Sequence, residues 1–159
     1  FNRAAEHAMR SVVHITTQTQ PRRDDWWLQP QQNVGSGVIV SEKGHILTNS
    51  HVVRDSKTRL VRFPDGREFR ADVVGDDQDS DLALLRIDAG DMKLQPIRFA
   101  DSDRVRISDF VLAIGSPLGY SHSVSSGIVS AKHRRIVSTG WRRSSATITA
   151  PAGNMRPAR

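Results

Sequence analysis

The sequence predicts an all-β chain built around a small antiparallel barrel or sandwich. Three observations point there. Six runs rich in β-branched or alternating apolar residues lie between Ser11 and Asp88. Turn signals separate them at intervals of about 8–12 residues, the spacing of small barrels and sandwiches. A further apolar run, Phe110-Val111-Leu112-Ala113-Ile114-Gly115, opens a second group of strands.

The elements follow in order. Residues 2–9 are suited to one or two helical turns, with Asn2 placed to cap them. Residues 11–18 carry Val12, Val13, Ile15, Thr16 and Thr17, a β-branched series that reads as a strand. Residues 19–33 form a polar loop with Pro21 and Pro30. Its Trp26-Trp27 pair reads either as a contact surface or as rings folded back onto the body. Residues 35–40 and 45–48 make a hairpin across the turn Ser41-Glu42-Lys43-Gly44. Residues 58–63 and 68–75 flank Pro64-Asp65-Gly66-Arg67, a strong turn sequence. Residues 82–87 are apolar enough for a buried strand. Residues 89–108 connect to the strand 109–115, which ends at the turn Ser116-Pro117-Leu118-Gly119, and 123–131 is the next strand. From Arg134 to Arg159 there is no acid and no sustained period.

Charge narrows the function classes. The chain of 159 residues has a formal net charge of +6. Residues 1–133 hold 17 bases and 17 acids, so the whole excess sits in the last 26 residues. A neutral body with a basic tail is not the patterned basic face that nucleic-acid binding requires, so nucleic acid is not the expected partner. There is no cysteine, hence no disulfide, thiol nucleophile or thiolate-bound metal. No apolar run reaches the ~18 residues of a membrane span. The chain starts on Phe1 without an apolar signal region, which reads as a fragment or mature form; membrane association is expected only through a segment upstream.

Two stretches carry chemistry. Leu47-Thr48-Asn49-Ser50-His51-Val52-Val53 places an imidazole just after a strand end, where a side chain is exposed yet held rigidly. Ser80-Asp81-Leu82-Ala83-Leu84-Leu85 places a carboxylate directly before a buried strand, unlike its neighbours Asp76, Asp77 and Asp79. A histidine oriented by a carboxylate is two thirds of a nucleophilic hydrolase site. His14, His45 and His122 lie within strand-like runs and read as structural.

These two stretches, taken as 44–53 and 79–85, with Gly35-Ser36-Gly37-Val38-Ile39, Phe110-Val111-Leu112-Ala113-Ile114-Gly115-Ser116-Pro117-Leu118-Gly119 and Ser125-Ser126-Gly127-Ile128-Val129-Ser130-Ala131, resemble trypsin-like serine proteases of the HtrA/Deg family in order and spacing. The resemblance covers about residues 5–133. It implies a trypsin-like double β-barrel, with the first barrel complete and the second truncated. The expected divisions are a helical lead at 1–10, the first barrel at 11–92, the start of the second at 93–133 and an off-pattern basic tail at 134–159. The resemblance implies His51 as general base and Asp81 as its orienting carboxylate. It implies cleavage of unfolded or misfolded polypeptide in protein quality control, without metal or cofactor. It further implies a periplasmic or otherwise extracytoplasmic bacterial setting, a homo-oligomer (a trimer) in full-length members, and a PDZ domain in many of them.

The chain departs from that family at the nucleophile. The family's Gly-Asn-Ser-Gly-Gly-Pro does not occur, and no nucleophilic serine is found. The nearest approach is Gly153-Asn154-Met155-Arg156, either a chance pair or a degraded motif with Met155 in the serine position. Ser144-Ser145 lacks flanking glycine, and Ser36 and Ser116 sit where the family does not place its nucleophile. Two readings follow: an HtrA-like endopeptidase sequence inactive as written, or a non-catalytic pseudoprotease that binds unfolded polypeptide. A partial second barrel also leaves unpaired edges, with exposed apolar faces expected on Val111, Ile114 and Ile128.

Overall fold

The structure, a computed structural model, describes residues 2–19, 32–116, 123–132 and, as backbone, 148–151. The expectations for Trp26-Trp27, His122, Ser144-Ser145 and Met155 lie outside the described residues.

Six strands close into a barrel: β1 (Val12–Thr19), β2 (Gln32–Ile39), β3 (His45–Thr48), β4 (Ser56–Arg62), β5 (Glu68–Asp77) and β6 (Leu82–Ile87). Every pairing is antiparallel, and the order around the barrel is β1-β2-β3-β6-β5-β4, closed by β4 on β1. Alternation along each strand sends one set of side chains inward. Val13, Ile15, Ile39, Ile46, Val61 and Leu85 meet there, all at 1% exposure or less. Each such aliphatic side chain contributes about 1.5–3 kcal/mol of burial. Closure leaves this barrel with no free strand edge.

The turns form as their residues dictate. Gly44 takes φ +86°, and a Cβ there would lie 2.3 Å from the Ile87 carbonyl oxygen, so only glycine fits. In the next hairpin the Asp65 carboxylate accepts from the Arg67 N–H at 3.0 Å and pairs with its guanidinium, which holds the Asp65 pKa below the ordinary value. A register shift between Val73 and Gly75 marks a bulge in β5.

Among the described residues the second sheet has three strands in the order β8-β7-β9, with β7 at Phe110–Gly115, β8 at Ser123–Ile128 and β9 at Ile148–Pro151. β9 pairs antiparallel with β7 from within the stretch where the sequence shows no strand pattern. Helix α1 (Asn2–Met9) lies against this sheet. Ala8, with Ala4, Ala5 and Met9 beside it, packs with Val12 of β1 and with Leu112 and Ile114 of β7. This corrects one expectation: Ile114 is buried at 2%, because α1 and β1 cover that face. Ile128 is exposed as expected, and Val111 is half-buried. β1 thus faces two cores, with Val13 and Ile15 inside the barrel and Val12 toward β7.

Candidate active site

The site is built at one rim of the first barrel. β3 ends at Thr48, whose hydroxyl donates to the Ser36 carbonyl at 2.8 Å. After Asn49 the chain turns into α2 (Ser50–Val53), a single turn carrying His51. Three contacts seat this turn. The buried Thr17 hydroxyl donates to the Val52 carbonyl at 2.9 Å. The Ser56 hydroxyl donates to the Val53 carbonyl at 2.5 Å. Gly35 of β2 lets Val52 approach closely, since a Cβ at 35 would meet Val52 methyl carbons at 2.7 and 2.8 Å.

Asp81 arrives from the loop between β5 and β6. Asp77 organises that loop: its carboxylate accepts from the Asp79 N–H at 3.0 Å and from the Ser80 hydroxyl at 2.7 Å. The Ser80 hydroxyl and these backbone donors lower the Asp77 pKa from the ordinary carboxylate value. Asp81 itself takes φ +55°, in the left-handed region that Asp and Asn enter more readily than other non-glycine residues.

His51 and Asp81 meet. Nδ1 of His51 lies 2.8 Å from Oδ2 and 3.1 Å from Oδ1 of Asp81, and the His51 backbone N–H donates to Oδ1 at 2.9 Å. An ionised carboxylate can only accept, so this contact puts the ring proton on Nδ1. The lone pair then belongs to Nε2. The His51 side chain is 41% exposed and that of Asp81 15%, so the carboxylate is shielded beneath an imidazole open to solvent. The two residues singled out from sequence are thus brought together. Chemically, such a pair can accept a proton from a hydroxyl at Nε2 while the carboxylate stabilises the imidazolium.

The other sequence candidates lie elsewhere. Ser36 and Ser116 bond to each other, with the Ser116 N–H donating to the Ser36 hydroxyl at 2.8 Å. His14, buried in β1, places Nδ1 2.5 Å from the Ser116 carbonyl oxygen. His45 bonds the Ser41 hydroxyl through Nδ1 at 2.7 Å within the β2–β3 turn. Both histidines are therefore engaged in the framework, as the sequence reading expected. Among the described residues, no three or more His, Asp or Glu side chains gather as a metal site, and no helix is long and apolar enough to cross a membrane.

A family profile described as a trypsin-like peptidase domain matches residues 35–155. The chain belongs to the trypsin-like peptidase family. Within it the likeness is to the HtrA/Deg branch. A probable periplasmic serine endoprotease, DegP-like, from Pseudomonas fulva is 48% identical over 105 residues, covering 66% of this chain and 22% of the relative. The periplasmic pH-dependent serine endoprotease DegQ from Escherichia coli is 46% identical over 107 residues, covering 67% of this chain and 23% of the relative. A solved HtrA-type protease, AlgW with a tripeptide, superposes with a TM-score of 0.75 at 34% identity, covering 87% of this chain and 42% of that one. The chain spans about a fifth of the length of the curated relatives it matches. In this HtrA/Deg peptidase domain the closed barrel is the first barrel and the β8-β7-β9 sheet is part of the second.

Sequence reading missed the shell that holds the dyad. The Asn49 amide reaches Asp81, Thr17 anchors α2, and Asp77 shapes the loop. Only the Asn49-Ser50-His51 and Asp77 to Asp81 clusters gave a signal, and neither reveals which side chain bonds which.

Proposed function

We propose that this chain is part of an HtrA-type serine endopeptidase in which His51 is the general base and Asp81 orients it. The observation that carries the reading is the 2.8 Å contact between His51 Nδ1 and Asp81 Oδ2 at the barrel rim. In the parent activity, Nε2 takes the proton of a serine hydroxyl as it attacks a peptide carbonyl and returns it to the leaving amine. The substrate class is unfolded or misfolded polypeptide, as in protein quality control. The periplasmic names of the relatives support an extracytoplasmic setting, and the full-length form is a homo-oligomer, a trimer by family resemblance.

As written, the chain does not cleave protein. Its sequence contains no Gly-Asn-Ser-Gly, and Met155 beside Gly153-Asn154 has a thioether with no proton to abstract. Incubation of the purified chain with unfolded casein tests this, and no peptide release above buffer is expected. Release that disappears in His51→Ala contradicts it. The pseudoprotease reading shares the absence of cleavage and is separated by resequencing. A single-base correction near codon 134 that restores a Gly-Asn-Ser-Gly-Gly frame supports the endopeptidase. An unchanged frame, together with binding of unfolded casein, supports the pseudoprotease.

A further inference from the structure

The residue before α2 does not do what its position suggests. Asn49 stands at the N-cap with extended backbone, φ −86° and ψ 143°, yet its side chain makes no capping bond to its own helix. The capping role is filled from across the site, because the Asp81 carboxylate takes the His51 backbone N–H. The Asn49 side chain instead turns outward from the helix. Its Nδ2 donates to the Asp81 carbonyl at 3.1 Å and lies 3.4 Å from Oδ2, the same oxygen that receives the His51 ring proton. The Ser50 N–H donates to the same Asp81 carbonyl at 3.1 Å.

We infer that Asn49 is a positioning residue for the dyad, holding the Asp81 carboxylate on His51 Nδ1 by bonding both the backbone and the side chain of Asp81. This rests on the reading of His51 and Asp81 as base and orienter. Asp81 sits at φ +55°, a conformation that persists only where neighbours hold it. One side-chain amide spans its carbonyl and its carboxylate, so it fixes the torsion that aims the carboxylate at the imidazole. Without that amide the Asp81 carbonyl loses one donor and Oδ2 loses the donor it shares with Nδ1, so the carboxylate, still bonded through Oδ1 to the His51 N–H, is aimed less strictly at Nδ1. The imidazole is then paired less firmly with the group that sets its tautomer.

The test is the tautomer of neutral His51, read from ring nitrogen shifts by two-bond 15N–1H NMR on the full chain. In the wild-type chain the Nδ1–H form is expected. Asn49→Leu keeps the approximate volume and removes the amide, and Asn49→Ala removes both. Each is expected to shift the ring nitrogens toward a mixture containing the Nε2–H form while the barrel amide peaks stay in place. A folded variant with unchanged ring nitrogens overturns the inference, because a residue serving only packing would not move them. Asp81→Asn separates the two levels. If it moves the ring nitrogens and the Asn49 variants do not, the role of Asn49 fails alone. If it moves nothing, the dyad reading fails and the inference with it. The wild-type chain supplies a check that needs no variant: Asn49 side-chain amide protons should exchange slowly, and exchange at the rate of a free amide overturns the bond.

Discussion

Among the described residues the two sheets differ in closure, and His51 and Asp81 meet on the one that is closed. In the first barrel every strand is paired on both sides, and six aliphatic side chains from five strands are sealed at 1% exposure or less. In the second sheet β8 is exposed along its whole length, with Val124 at 42% and Ile128 at 55%, and Phe110 of β7 is 61% exposed. Its strands pair with one another, and its buried side chains Leu112 and Ile114 are covered by α1 and β1. His51 and Asp81 are both offered by the closed barrel. A 2.8 Å contact between groups 30 residues apart in sequence is maintained because β3 and β6, which lead to them, are paired neighbours. The first barrel thus brings a histidine and a carboxylate, two of the three side-chain types of a Ser-His-Asp triad, into contact.

Core truncation should break this contrast most sharply. Ile46→Ala, in the sealed barrel, is expected to cost about 2–5 kcal/mol, whereas Ile128→Ala in β8 should stay within about 0.5 kcal/mol. Denaturant unfolding followed by circular dichroism measures both, and equal costs would mean that the second sheet is as well packed as the first. Next comes the seat of α2. Thr17→Val leaves the buried Val52 carbonyl without its donor and should cost about 1–3 kcal/mol. It should also loosen the His51 amide in hydrogen exchange, without affecting β8.

The smallest effect concerns acid. Asp77 has its pKa lowered from 3.8 in the folded chain, by the Ser80 hydroxyl first and then by backbone donors. A depressed folded value means the stabilisation is fully present above 3.8 and is lost as pH falls through the lower folded value. The turn before Asp81 should therefore hold at pH 5 and open only below the ordinary carboxylate range. Exchange of the Asp79 and Ser80 amides against pH measures this. Asp77→Ala should abolish the protection at every pH.

Much of this was legible in the sequence, for reasons that also explain the gaps. The strands of the first barrel announced themselves by β-branched runs such as Val12 to Thr17 and by the turns at Gly44 and Gly66, both at positive φ. β2 begins at Gln32, ahead of its apolar run, because backbone pairing with Thr17 and Gln18 needs no apolar side chain. β9 gave no signal, since Ile148-Thr149-Ala150-Pro151 is short and ends in proline, and its pairing with β7 is a long-range contact. The burial of Ile114 depends on α1, more than 100 residues away in sequence, which no local pattern records. His51 and Asp81 were legible as residue types beside buried strands. The outward turn of Asn49 and the positive φ of Asp81 were not, because both arise only once the two loops face each other.

We propose that His51 and Asp81 form a base and its carboxylate in a chain whose sequence carries no Gly-Asn-Ser-Gly nucleophile. A fluorophosphonate probe tests it directly, because it labels a serine only when an adjacent base activates the hydroxyl. The purified chain, incubated with excess probe and mapped by peptide mass spectrometry, should carry no label at any serine. Stoichiometric labelling of one serine, lost in His51→Ala, would contradict the account.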